Sequence, residues 1–297
     1  MSNDRRSTES LNPSSSALDT MSALEIVTLM NDEDTTVPAA IRPALPAIAS
    51  FVEAAAERLR VGGRLLYAGA GTSGRLAVLD AVECVPTFSV SPDLVTPIMA
   101  GGDEALTHSV EGAEDDTELA RRDVDGAGVG AKDAFVGVAA SGTTPYVVAA
   151  LELARERGAI TAAVANNEPA PILDVAEIAI AAVTGPEVLS GSTRLKAGTA
   201  QKLILNMIST ATMVRLGKVH GNRMIDVAVT NTKLRWRAEG IVADLVGCGP
   251  AEAARLLDAA DEEVKTAVLM GLAEIDAATA RARLEAAGGY LRDALDV

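Results

Sequence analysis

Two short segments of the chain combine glycine with hydroxyl side chains in a pattern that suits anion binding. Residues 69–74 (Gly-Ala-Gly-Thr-Ser-Gly) and residues 141–144 (Ser-Gly-Thr-Thr) each follow an apolar run and precede a helical pattern. At a strand-to-helix junction the backbone N–H groups and the helix dipole attract negative charge, and glycine lets the backbone approach a ligand closely. We therefore expect the two loops to hold one phosphate group with uncharged donors.

Helix capping and dinucleotide binding compete with phosphate binding as roles for these loops. The hydroxyl groups could simply cap the helices that follow, although two equivalent loops favour a shared ligand. Gly69, Gly71 and Gly74 also satisfy G-x-G-x-x-G, the fingerprint of a dinucleotide site. Such a site needs an acid about 20 residues further on, and the nearest candidates, Asp103 and Glu104, come somewhat late. Phosphate binding is the favoured prediction.

Two glutamates stand where a carboxyl group could move a proton. Glu83 lies among small apolar residues at the predicted end of the first helix, and Glu114 lies in the acidic run 111–116. An apolar setting raises the pKa of a carboxyl group so that it can act as an acid near neutral pH, whereas an ionised carboxylate can act as a base. On spacing alone, however, the acidic run is better interpreted as a solvated helix face.

The histidines and cysteines do not form a metal-binding pattern. His108 and His220 are far apart, and Cys84 and Cys248 lack CxxC spacing. We predict reduced thiols and no metal.

The apolar pattern predicts an α/β fold that would position the two loops. Helical patterns separate most of five strand candidates, at residues 64–68, 96–100, 134–139, 160–165 and 178–183. This alternation predicts a doubly wound, mainly parallel five-stranded sheet. Both hydroxyl loops then fall at the carboxyl ends of strands, where such folds bind ligands. A long helix is expected over residues 190–216, with Ser190 or Ser192 as its N-cap.

Three segments are expected along the chain. Residues 1–50 form an N-terminal arm, mobile or bound to a partner up to about residue 20, and a helical segment interrupted by prolines. Residues 51–240 form the phosphate-binding domain. Residues 241–297 form a small all-helical domain with an internal repeat, in which residues 253–268 match residues 280–295.

The composition and net charge of the chain limit the classes of function and partner that are expected. The chain has 297 residues, of which 48% are hydrophobic and only 2% aromatic, which suits an α/β core of small aliphatic side chains. Its net charge of −15 repels nucleic acid and anionic membranes, so neither is expected as a partner. We find no targeting segment and no run of about 18 apolar residues, which predicts a cytoplasmic protein.

Longer motifs carry a resemblance to a known family. They occupy residues 12–13, 18–22, 31–34, 69–75, 83–88, 100–102, 110–116, 185–199 and 226–231. With these motifs the chain resembles, over nearly its full length, the N-acetylmuramic acid 6-phosphate etherases, a family built on the sugar isomerase (SIS) domain. The resemblance implies an SIS-type fold and a homodimer that completes the site. It also implies that no metal or organic cofactor is used.

The resemblance further implies a reaction. Enzymes of this family cleave the lactyl ether of N-acetylmuramic acid 6-phosphate into N-acetylglucosamine 6-phosphate and D-lactate, during recycling of cell-wall sugars. Elimination is followed by addition of water. By this resemblance Glu83 donates the proton to departing lactate and Glu114 is the second acid/base residue, which overrides the interpretation of the acidic run as a solvated face.

The phosphate-binding role is also carried over by resemblance. It falls on five residues: Thr72, Ser73, Ser141, Gly142 and Thr144. The chain departs from the family pattern at Thr143, where a basic residue is usual, so the phosphate affinity could be weaker or supplied elsewhere. Val82 and Val85 replace Ser and Pro and make the surroundings of Glu83 more apolar, and Arg223 replaces an apolar residue.

Two competing functions remain open from the sequence. A related regulator built on the same domain binds fructose phosphates without catalysis, and an aldose–ketose isomerase would share the removal of the C2 proton. Retention of both Glu83 and Glu114 favours the lyase.

Overall fold

The structure is a computed structural model, and it describes residues 6–229 and 231–296. Its contacts divide the chain into two compact units. The first comprises Met1–Ala81 and Pro92–Ser209, and the second comprises Val82–Ser91 and Thr210–Val297.

A five-stranded sheet forms the centre of the first unit. Its strands are β1 (Leu65–Gly69), β2 (Val95–Met99), β3 (Ala134–Ala139), β4 (Ile160–Ala165) and β5 (Ile178–Ala181). Their order is β2-β1-β3-β4-β5, and all neighbours are parallel. Every residue of β1 and β3 is buried, as expected for parallel strands that have helices on both faces. The predicted α/β fold is confirmed.

Helices connect these strands. They are α1 (Ala23–Asp34), α2 (Val37–Ile41), α3 (Leu45–Arg60), α4 (Gly71–Phe88), α5 (Glu104–Thr107), α6 (Thr117–Gly126), α7 (Pro145–Glu156), α8 (Pro171–Val175) and α9 (Lys196–Arg215). One face of the sheet packs with α6 and α7 around Phe135, Tyr146 and Leu151.

A buried polar cluster joins the sheet to α4 and α9. The hydroxyl of Tyr67 donates to Asp80 Oδ2 at 2.9 Å, and the Ser209 hydroxyl donates to Asp80 Oδ1 at 3.0 Å. The amide of Asn206 also donates to Asp80 Oδ1. A buried carboxylate is tolerated where hydrogen bonds satisfy it. The cluster therefore fixes the helix whose first turn contains the first hydroxyl loop.

The helix following β1 is longer than predicted, because α4 continues through Pro86 to Phe88. The predicted long helix also begins later than expected, at Lys196. Neither Ser190 nor Ser192 caps it. The buried carboxylate of Glu187 accepts the first N–H groups of this helix instead.

The N-terminal stretch Ala23–Arg60 is the one part of the described chain long and apolar enough to span a membrane, and an 18-residue window in it has a mean hydropathy of 1.2. This finding rests on length and composition alone, and core helices share both properties. Within the stretch, α3 buries Ile48, Phe51, Val52 and Ala55 in the first unit.

Five helices make up most of the second unit: α10 (Thr232–Val246), α11 (Pro250–Ala259), α12 (Val264–Ala273), α13 (Ala277–Ala286) and α14 (Leu291–Leu295). A short antiparallel ribbon of β6 (Val219–His220) and β7 (Arg223–Met224) precedes them. The repeat seen in the sequence matches core positions, because the aligned pairs Leu257/Leu284, Val264/Leu291 and Ala267/Ala294 are all buried.

Candidate functional site

The first hydroxyl loop leaves the carboxyl end of β1 and becomes the first turn of α4. Gly71 adopts a positive φ of 53°, which a side chain rarely tolerates. A Cβ on Gly74 would lie 2.7 Å from the Gly69 carbonyl oxygen, so the two ends of the loop pack backbone against backbone. Ser73 is buried and Thr72 is half-buried.

The second hydroxyl loop leaves the carboxyl end of β3 and leads into α7. Gly142 has a positive φ of 73°, and a Cβ on it would lie 2.3 Å from the Cβ of Ala170. The backbone N–H and the hydroxyl of Thr143 both donate to Ser141 Oγ, at 3.2 and 3.1 Å. Thr144 occupies the N-cap position of α7, yet its side chain makes no capping hydrogen bond. Helix capping therefore does not account for the Thr144 hydroxyl.

The two loops leave the same edge of the sheet from adjacent strands. β1 and β3 are parallel neighbours, with Gly69 opposite Val138. The sheet thus brings together the five residues predicted to bind phosphate at the carboxyl ends of two adjoining strands.

Glu114 lies between these loops. It borders a cavity of about 260 Å³ together with Ala70 and Gly71 of the first loop and with Arg75. Its carbonyl oxygen accepts the backbone N–H of Tyr146, in the first turn of α7, at 3.0 Å. The carboxylate side chain is exposed. The acidic run is therefore part of a cavity wall as well as a solvated segment.

Arg75 helps to shape the same cavity. Its guanidinium donates to the carbonyl oxygens of Leu106 and His108, at 3.2 and 3.0 Å. These bonds hold the segment that runs from β2 towards Glu114. The cavity thereby also contains a fixed positive charge.

Glu83 lies on the part of α4 that belongs to the second unit. Its side chain is exposed. Leu79 and Val82, on the same side of the helix, are 50% and 58% exposed. The apolar neighbours of Glu83 on this helix are therefore exposed.

Sequence reasoning missed a buried cluster at the start of α9. The Lys196 ammonium donates to Glu33 Oε2 at 2.5 Å, and both side chains are largely buried. This hydrogen bond lowers the pKa of the Glu33 carboxyl. Burial raises the pKa of Glu187, against the opposing effect of the backbone N–H groups that it accepts. Gly198 in the first turn of α9 faces Thr72, since a Cβ on it would lie 3.6 Å from Thr72 Cγ2. The cluster thus sets the helix beside the first loop.

The described residues, 6–229 and 231–296, contain no cluster of side chains with the composition of a common metal site. No group of three or more His, Cys, Asp or Glu side chains in these ranges could hold a metal ion.

The fold and the paired loops define an SIS-type protein. Residues 47–155 match the family described as the glucokinase regulatory protein N-terminal SIS domain. Among solved structures, the phosphoheptose isomerase from Francisella tularensis is similar, with a TM-score of 0.51 and 18% identity, covering 65% of this chain and 100% of the isomerase. The phosphoheptose isomerase from Neisseria gonorrhoeae has a TM-score of 0.50 and 18% sequence identity, and the match covers 64% of this chain and 98% of the isomerase. These similarities establish the fold.

Two relatives specify the family more closely. N-acetylmuramic acid 6-phosphate etherase from Streptomyces coelicolor is 52% identical over 288 residues, which cover 97% of this chain and 93% of the relative. The etherase from Yersinia pestis is 54% identical over 287 residues, which cover 97% of each chain. The chain belongs to the N-acetylmuramic acid 6-phosphate etherase family.

Proposed function

We propose that this protein is a carbon–oxygen lyase that converts N-acetylmuramic acid 6-phosphate into N-acetylglucosamine 6-phosphate and D-lactate, in the recycling of cell-wall sugars. Family membership supports the reaction. The observation that carries the site is the position of Glu114, which borders the first loop and is bonded to the helix that follows the second. We also place the reaction in the cytoplasm, since a charged sugar phosphate does not cross membranes freely.

The chemistry begins with the open-chain sugar. Its C2–H bond is acidic because the carbanion formed is conjugated with the C1 aldehyde. A base takes this proton, the electron pair forms a C2–C3 double bond, and the C3–O bond breaks as the ether oxygen receives a proton and leaves as lactate. Water then adds at C3 and the proton returns to C2. Each positioned proton transfer contributes about 10²–10⁴-fold.

Glu83 and Glu114 supply these proton transfers in the proposal. Glu83 protonates the departing lactate oxygen, and Glu114 is the second acid/base group. Exposure of both carboxylates in one chain leaves them accessible to a substrate. The substrate's phosphate accepts hydrogen bonds from Thr72, Ser73 and the second loop.

The phosphate is bound at the shared edge of β1 and β3. In the proposal, the hydroxyl groups of Ser141 and Thr144 face this edge from the second loop, and Gly142 lets the backbone pass close to the phosphate. The left-handed conformation of Gly142 supports its part, because glycine adopts such a turn without steric cost.

We assign the active form to a homodimer in which Glu83 of one chain completes the cavity that contains Glu114 of the other. Leu79 and Val82, which flank Glu83, are exposed. On α1, none of whose residues is fully buried, Leu24 and Val27 are 74% and 57% exposed. Exposed apolar groups at helical spacing are typical of surfaces that a partner covers.

The first experiment measures D-lactate released from N-acetylmuramic acid 6-phosphate by the purified protein, without added metal or nucleotide. Glu83→Gln and Glu114→Gln should each lose at least about 100-fold in turnover. Both should retain binding of N-acetylglucosamine 6-phosphate. Glu118→Gln, an exposed change on α6, serves as the matched control and should keep full activity.

The second experiment mixes the two inactive variants. If each site takes Glu83 and Glu114 from different chains, a heterodimer of the Glu83→Gln and Glu114→Gln chains has one intact site, and activity returns after subunit exchange. No return of activity would refute the shared site. Sugar-phosphate binding without turnover by the wild type would instead support a regulator, and isomerisation without lactate would support an isomerase.

A further inference from the structure

The second hydroxyl loop contains no cation of its own. Its sequence is Ser-Gly-Thr-Thr, with no charged side chain. A phosphate held only by neutral donors in a chain of net charge −15 lacks a nearby opposite charge at this loop. Arg75 borders the cavity beside the first loop, so a cation beside the second loop has to come from another part of the chain.

The N-terminal arm lies against this part of the sheet. Residues 7–12, expected to be mobile or bound to a partner, are held by the chain's own first unit. The amide of Asn167, two residues beyond the end of β4, donates to the Thr8 hydroxyl at 3.0 Å and to the Ala140 carbonyl at 2.9 Å. Its oxygen accepts from the Ser7 hydroxyl and the Thr8 backbone. Thr8 and Asn167 are buried, so this anchor is part of the packed structure.

The anchor places a guanidinium at the loop. Arg6 Nη1 donates to Thr143 Oγ1 at 3.1 Å, across 137 residues of sequence. Thr143 Oγ1 in turn donates to Ser141 Oγ. Arg6 is therefore connected through one hydroxyl to a residue predicted to bind phosphate.

We propose that Arg6 is a binding residue for the substrate's phosphate and replaces the cation that the loop lacks at Thr143. This inference builds on the proposed function. The guanidinium already lies at hydrogen-bond distance from the loop. Its N–H donors form a fixed planar fork that matches two phosphate oxygens, which is the bidentate geometry that arginine favours.

The test compares KM and kcat for Arg6→Ala, Arg6→Lys and the double variant Arg6→Ala/Thr143→Arg. Removing a hydrogen-bonded charge should raise KM about 10- to 100-fold with little change in kcat. Arg6→Lys should recover part of the loss, and Thr143→Arg should restore KM in the Arg6→Ala background by returning the cation to the loop itself. Arg42→Ala, an exposed change elsewhere in the first unit, is the control.

The rescue separates phosphate binding from a structural role. If Arg6 only anchors the arm, Thr143→Arg will not repair the Arg6→Ala variant, and the inference is overturned. An unchanged KM in Arg6→Ala overturns it as well. Titration with N-acetylglucosamine 6-phosphate and with N-acetylglucosamine gives a second readout, because only the phosphorylated sugar should bind more weakly to Arg6→Ala.

Direct titration with inorganic phosphate keeps the two proposals distinguishable. If the wild type releases no lactate but Arg6→Ala still weakens phosphate binding, the proposed function fails and the role of Arg6 stands. If lactate is released normally and Arg6→Ala binds phosphate as tightly as the wild type, the role of Arg6 fails alone.

Discussion

Replacing Gly142 by alanine tests how the second loop is built. The residue has a φ of 73°, and the added Cβ would lie 2.3 Å from Ala170 Cβ and 3.3 Å from Ala165 Cβ. Gly71 offers a matched comparison, because its φ is 53° but a Cβ there would have no neighbour within 4 Å. Both variants are therefore strained by a left-handed conformation, and only one also creates a clash.

The expected magnitudes follow from these distances. The left-handed conformation costs alanine about 1–2 kcal/mol at either position. Overpacking adds about 1–3 kcal/mol at Gly142, for a total of about 2–5 kcal/mol. Ala170→Gly removes the nearest clashing atom, and by itself it costs about 1 kcal/mol for the lost buried methyl group. The double variant Gly142→Ala/Ala170→Gly should thus be about 1–3 kcal/mol more stable than the sum of the single changes.

Hydrogen–deuterium exchange of the amides in β3 and β4 is the appropriate assay, because it reports on the first unit alone. Activity provides the second readout, since Gly142→Ala should raise KM by displacing the phosphate loop. Gly71→Ala is compared for stability alone, because Gly71 itself borders the cavity that contains Glu114. Additive free energies in the double variant, or equal costs at Gly71 and Gly142, would falsify the steric argument.

Two further predictions concern the buried polar contacts of the first unit. Asp80→Ala removes the carboxylate that accepts hydrogen bonds from the buried Tyr67 and Ser209 hydroxyls, while Ser209 keeps a longer bond of 3.5 Å to the Asn206 carbonyl. The free energy of unfolding measured in urea should therefore fall by at least about 2 kcal/mol, and by only about 1 kcal/mol in Tyr67→Phe; equal losses would contradict this. Glu33→Gln removes the partner of Lys196 and should cost about 1.5–3 kcal/mol at pH 7. Folding lowers the pKa of Glu33. The stability that this ion pair contributes is therefore present above the unfolded pKa of about 4.3 and is lost as the pH falls through the lower folded value. A stability difference between wild type and Glu33→Gln that does not change with pH would rule out the role of this pair.

Local patterns are enough to predict the sheet and both hydroxyl loops. Apolar runs of four to six residues followed by glycine identify buried parallel strands, because both faces of such strands must be apolar. The strand candidates 64–68 and 134–139 accordingly agree closely with β1 and β3. The predicted start of the helix at 190–216 is too early, because its true N-terminal acceptor, Glu187, lies outside the usual capping distance in sequence.

The sequence by itself determined which segments form the five strands of the main sheet, which loops carry glycine and hydroxyl groups, and which family motifs the chain contains. It did not indicate the short ribbon of β6 and β7. Only the tertiary structure decided which distant groups meet. The contact of Lys196 with Glu33 spans 163 residues and that of Arg6 with Thr143 spans 137. Neither pair has a local signal, because a hydrogen bond between distant residues depends on how the first unit packs around the sheet. Strand and loop identity, by contrast, depends on the steric and hydrophobic preferences of neighbouring residues.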